Sequence, residues 1–182
     1  MIIVEKMKDD LKQRFIDDGF DCYLFYIPVK SEIAICEKLN RRYPKAYFLA
    51  LRRMMHRSKD GKKWNEEDTL LRNYVFAYVE KGASIDFLRE IGSLLYLEDG
   101  GSDGKLSDQN CEYARWVLDN DGLLGLSTAV LENGLVKITG GPLSMMKDYI
   151  KKYDRRNRNC FISIDVAGVK IETWMPFEWK EN

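Results

Sequence analysis

Apolar and polar positions alternate at period two through the last third of the chain and recur at helical spacing in several earlier segments. Val136 and Ile138 alternate with Lys137 and Thr139, which predicts a half-buried strand. Gly140-Gly141-Pro142 ends it, because glycine supplies positive φ and proline presets a turn. Short β-branched or aromatic runs follow at Tyr149 to Tyr153, Cys160 to Val166 and Lys170 to Met175. Asp154 to Asn159 and Ala167-Gly168 punctuate them. Evenly spaced strands with turns between them predict a small closed β-barrel over 134–182.

The earlier part mixes both periods. Met1 to Phe20 predicts a helical extension, with Met7, Leu11, Phe15 and Ile16 on one face and Gly19 as its stop. Cys22 to Ile27 reads as a strand before Pro28, and Ser31 caps a helix whose apolar face is Ala34, Ile35 and Leu39. Ala46 to Met55 predicts a second strand, Asp60-Gly61 a hairpin tip, and Tyr74 to Val79 a further strand. Ile85 to Ile91 predicts a short helix, Leu94 to Leu97 a short strand and 99–103 a loop. Ser107 would cap a helix carrying Cys111, Ala114, Val117 and Leu118. Residues 120–133 show no clear period and read as a linker. The fold class is therefore α+β: an antiparallel sheet with packed helices over 21–119, then the linker, then the barrel.

Composition changes this picture in one respect. The 182 residues carry no net charge, but the charges are segregated. The span from Arg41 to Lys63 holds nine Lys/Arg against Asp60 alone, whereas Ile85 to Glu132 holds ten Asp/Glu against three Lys/Arg. Such blocks suggest separate faces for separate partners. No apolar run is long enough to span a bilayer, and Lys6, Lys8, Asp9 and Asp10 interrupt any signal-peptide core. A cytoplasmic protein with no membrane partner is expected. Cys22, Cys36, Cys111 and Cys160 form no C-x-x-C pair and read as small buried hydrophobes.

Catalytic chemistry finds little support. His56 is the single histidine, which excludes histidine-based triads and multi-histidine metal sites. The loop from Gly100 to Leu106 fails the P-loop spacing and has leucine where magnesium needs a hydroxyl. Glu66-Glu67-Asp68 lacks EF-hand spacing and reads as a solvated turn. No enzyme activity, cofactor or metal is expected. The strongest binding constellation is a basic lip on the barrel: Lys151, Lys152, Arg155, Arg156 and Arg158, joined by Lys137 and Lys170. Guanidinium groups bond phosphate bidentately and stack on unpaired bases. Tyr149 and Tyr153 could set an aromatic ring beside it, and the bland alternative is a solvated basic hairpin. A second basic run, Arg52, Arg53, Arg57, Lys59, Lys62 and Lys63, falls at the Asp60-Gly61 hairpin.

The residues Val136, Ile138, Gly141-Pro142, Ile150, Asp154 with its basic turn, Phe161 to Val166, Gly168 and Trp174 to Glu178 resemble the KOW motif of NusG-family transcription elongation factors. Asp148 stands where that family usually has glycine. Leu70 to Phe76 resembles the pattern of the NusG N-terminal (NGN) domain, with Arg72 and Asn73 in place of its proline and glycine. The arginine turn, Gly140 to Leu143 and Leu126-Ser127 are most similar to the LoaP subgroup of specialised antiterminators. The resemblance covers 21–182 and implies an NGN-like domain followed by an SH3-like KOW barrel. It further implies a monomeric, non-catalytic factor that binds the clamp helices of RNA polymerase through Leu71, Arg72, Asn73 and Tyr74, with Leu71 and Tyr74 standing alternatively in the core. Nascent RNA, as a leader hairpin, would bind the barrel's lip. Upstream or non-template DNA is a candidate partner for Arg52, Arg53, Arg57, Lys62 and Lys63. The alternatives are a general NusG contacting Rho or the ribosome, and a KOW-type ribosome-associated RNA-binding protein.

Overall fold

The computed structural model describes Gln13 and residues 19–28, 30–91, 104–106 and 108–180. The expected helix over 1–20, apart from Gln13, Gly19 and Phe20, lies outside the described residues, as do the strand expected at Leu94 to Leu97 and the cap Ser107. Phe20 itself opens a strand.

Among the described residues, three sheets and three α-helices make an α+β fold. The first sheet has the order β1 (Phe20–Tyr26), β5 (Tyr74–Glu80), β2 (Ala46–Leu49), all antiparallel. Its central strand is covered on both faces, with Val75, Phe76, Ala77, Tyr78 and Val79 all fully buried. Period two divides them. Val75, Ala77 and Val79 pack with Cys36 and Leu39 of α1 (Glu32–Arg42), while Phe76 and Tyr78 face α3 (Asp108–Asp119), where the Tyr78 hydroxyl donates to the Ala114 carbonyl at 2.7 Å. Helix α1 starts where Ser31 Oγ accepts from the Ala34 N–H. Asn40 holds the β2 backbone by two bonds to Phe48, at 2.7 and 3.0 Å. A short helix α2 (Asp86–Ile91) follows β5.

The second sheet is β4 (Lys62–Thr69), β3 (Arg52–Lys59) and β6 (Leu123–Leu124). Asp60 and Gly61 close the β3–β4 hairpin at φ 51° and 77°, the left-handed pair that a tight hairpin turn demands. The expected single strand from Ala46 to Met55 is thus two strands in different sheets, changing over at Ala50-Leu51. The expected turn at Glu66-Glu67-Asp68 is part of β4, because each carboxylate has an arginine across the ladder.

The third sheet has five strands in the order β8 (Leu135–Gly140), β7 (Ser127–Glu132), β11 (Val169–Trp179), β10 (Asn159–Val166), β9 (Ile150–Asp154). Residues 120–133 are therefore no linker. Leu123 and Leu124 pair with Arg52 and Arg53, and β7 runs parallel to the end of β11. Gly141 permits the corner after β8: its φ is 77°, and an added Cβ would stand 2.6 Å from the Ser127 Cα.

This sheet does not hang free. One apolar cluster runs from Cys22, Leu24 and Tyr78 through Trp116 and Val117 of α3 to Ile138, Ile162, Met175 and Phe177. Trp116 Nε1 donates to the Pro142 carbonyl at 2.9 Å, and Asn110 Oδ1 accepts from the Ala167 N–H at 2.9 Å. The two parts share a core across α3. Among the described residues, no helix is long and apolar enough to cross a membrane.

Candidate nucleic-acid interface

The basic turn between β9 and β10 is held by its first residue. Asp154 Oδ1 accepts from the Asn157 N–H at 3.0 Å and Oδ2 from Asn157 Nδ2 at 2.8 Å, an Asx-type closure. Arg158 then takes a left-handed conformation, φ 53°, and its carbonyl accepts from the Phe177 N–H at 2.9 Å. Arg155, Arg156 and Arg158 are consequently exposed on a fixed backbone. Arg155 Nη1 reaches the Gly134 carbonyl at 3.3 Å, which brings the β7–β8 and β9–β10 turns together. The backbone and side-chain bonds from Asn157 hold the Asp154 carboxyl below the usual aspartate range. Its contribution to the turn is present above that usual range and is lost only as pH falls through the lowered value. In an acid titration followed by NMR, the Asn157 amide resonance should shift with a midpoint below that of a free aspartate. A midpoint at the ordinary value would mean that the closure does not persist in solution.

Two aromatic rings flank the lip: Tyr153, exposed immediately before Asp154, and Trp174 across the ladder. Lys152 pairs with Phe161 and Phe161 with Trp174 across β9, β10 and β11. Lys152 Nζ lies 5.7 Å from the Trp174 ring, and Phe161 meets that ring edge-on at 5.4 Å. Tyr153 pairs with buried Cys160, and Tyr149 packs edge-on against Tyr113 at 5.4 Å. Only strand register could have singled out Trp174. Lys151 is exposed at the register break of β9. Lys137 and Lys170 differ from expectation. Lys137 pairs with Glu132 at 2.7 Å, while Lys170 pairs with Glu172 at 2.9 Å near the opposite end of the β10–β11 ladder from the arginine turn.

The expected polymerase patch is partly internal. Leu71 is 5% exposed and belongs to the core, so it cannot grip a partner. Asn73 takes φ 64°, which asparagine tolerates where the family pattern has glycine, and its N–H donates to Glu32 Oε1 at 2.7 Å. Arg72 is exposed, and half-buried Tyr74 meets Tyr26 edge-on at 5.4 Å. Arg72, Tyr74 and Tyr26 are what this corner offers to a partner.

The second basic run is largely neutralised by β4. Arg52 pairs with Glu67, Arg57 with Glu66 at 3.1 Å, and Arg53 with Asp68 at 3.1 Å. Arg53 is not a surface cation at all. Its Nη1 donates to Thr173 Oγ1 and, at 2.8 Å, to the Trp174 carbonyl, which fastens β3 to β11, while its Nε is buried without a partner. Lys59, Lys62 and Lys63 remain exposed at the tip.

Burial pushes the Cys36 and Cys160 thiols up to about 12 and the Cys22 thiol well above its usual range, which makes them poor nucleophiles at neutral pH. Among the described residues, no group of three or more His, Cys, Asp or Glu is placed to hold a metal ion. Set against known proteins, the chain matches no family model and no curated protein.

Proposed function

We propose that this chain is a NusG-like elongation factor of the specialised antiterminator kind, with the C-terminal sheet acting as an SH3-like KOW barrel that binds nascent RNA. The observation that carries the reading is the arginine turn fixed by Asp154, beside the Lys152–Trp174 contact and behind an α+β unit. Phosphates would meet Arg155, Arg156 and Arg158, and an unpaired base could stack on Trp174. The N-terminal unit would meet the polymerase clamp helices through Arg72, Tyr74 and Tyr26 and favour the clamp's closed state, by no more than its differential affinity for that state. Because the two parts share a core, RNA would be held by a docked unit at a set distance from polymerase rather than by one on a flexible tether.

A purified elongation complex on terminator templates tests this reading. Readthrough should rise when the transcript carries its native upstream leader and should not rise without it. Unchanged readthrough on every template from the native operon would overturn it. A second reading, a general NusG that contacts a protein such as Rho or a ribosomal subunit, is favoured by Leu131 and Leu135, which are 50% and 74% exposed beside the β7–β8 turn. Copurification of Rho or ribosomal proteins without leader dependence would select it.

A further inference from the structure

We infer that the β3–β4 hairpin and the β9–β10 turn form the two walls of one cleft that takes an unpaired RNA strand. This inference rests on the RNA-binding reading above and extends it to the N-terminal half of the chain. A groove of about 490 Å³ opens between the two elements. Arg57, Lys63 and Trp64 line one wall, Arg156 and Arg158 the other, and Glu178 is the one carboxylate lining it. Its volume, that of a small-ligand site, accommodates an unstacked base with its phosphate.

Electrostatics say what belongs there. Arg57 is already paired with Glu66, but Lys63, Arg156 and Arg158 form no ion pair with any described residue. Like charges set face to face repel, and a low-dielectric cleft between them concentrates anions. Trp64, directly opposite Arg57 in the ladder, is 44% exposed beside these cations. A cationic groove with an accessible aromatic face is the combination that binds single strands: phosphates along the charges and a base on the ring. The groove is continuous with the arginine turn proposed to hold RNA, so the same strand can run from one to the other.

The walls are far apart in sequence and are held together by Arg53. It lies on the same face of β3 as Arg57, and it bonds Asp68 on its own hairpin as well as Thr173 and the Trp174 carbonyl on β11. Arg53 is a positioning residue for the cleft and need not touch the strand.

Binding of the full chain to a labelled short oligouridylate, followed by fluorescence anisotropy across a salt series, tests the inference. Trp64→Ala should weaken binding by roughly tenfold, with little change in salt dependence, and Trp64→Phe should restore most of it. Lys63→Ala should reduce the slope of log affinity against log salt by about 0.7, the share of one single-strand phosphate. Both side chains are exposed, so circular dichroism should be unchanged. If both hairpin variants bind as the parent does while Arg155→Ala weakens binding, RNA lies on the turn alone: the cleft falls and the functional reading stands. If the parent binds no RNA, both fall. Tighter binding of the matching deoxyribose strand, or displacement of RNA by polyglutamate at equal charge, would assign the cleft to DNA or to an acidic protein and overturn the inference.

Discussion

Replacing Trp116 by alanine should destabilise the protein by about 3–5 kcal/mol, the usual cost of truncating a buried tryptophan, and it should do so in both halves at once. Trp116 is 2% exposed in the cluster that joins the first sheet to the third, and its Nε1 donates to the Pro142 carbonyl at 2.9 Å. The substitution opens a cavity and leaves that carbonyl without its partner. For a chain of this size the melting temperature should fall by about 10 °C. Trp116→Phe keeps most of the volume and loses the bond, so it should cost about 1–2 kcal/mol. Because the core is continuous, near- and far-ultraviolet dichroism should follow one shared transition in each protein. Two separate transitions, with only one of them moved by the substitution, would show that the halves are independent.

The triple variant Arg155→Ala, Arg156→Ala, Arg158→Asn should lose about two orders of magnitude in RNA affinity at low salt, and its salt slope should fall by about 2. Each arginine released from a single-strand phosphate removes about 0.7 from that slope. Asparagine is the right replacement at Arg158 because it tolerates the φ of 53° found there. The loss should appear in anisotropy measurements on the full chain. Polymerase binding should be retained, since Arg72, Tyr74 and Tyr26 lie in the first sheet or immediately before its central strand. Retained RNA affinity in a folded variant would remove the turn from the interface.

Local chemistry made part of this molecule legible. Asp60-Gly61 announces its hairpin because few other residues accept two successive positive φ angles. The strands at β1 and β5 are dense enough in aromatic and β-branched residues to declare themselves. The turn from Asp154 to Arg158 is legible for the same kind of reason: an aspartate at its start and a run of exposed cations.

What stayed hidden depends on register and on long-range burial. Ser127 to Glu132 reads as linker because Ser127, a polar residue, is buried and its Oγ accepts from the Leu143 N–H at 3.0 Å, while Leu131 is exposed. The apolar alternation that marks a strand is therefore broken at both ends of the segment, although Ala129 between them is buried. Arg53 looks like its neighbours Arg52 and Arg57 in sequence, yet only the approach of β11 makes it an internal clamp. Leu71 is apolar whether it faces a partner or the core, and the sequence cannot separate the two. Trp174 and Trp64 acquire meaning only from what lies across the ladder and across the groove.

The most direct measurement is photocross-linking within a halted elongation complex whose nascent transcript carries thiouridine in the native leader. The account predicts RNA adducts on residues 150–159 of this chain while it remains bound to polymerase. Adducts confined to polymerase itself, with this chain still present in the complex, would contradict it.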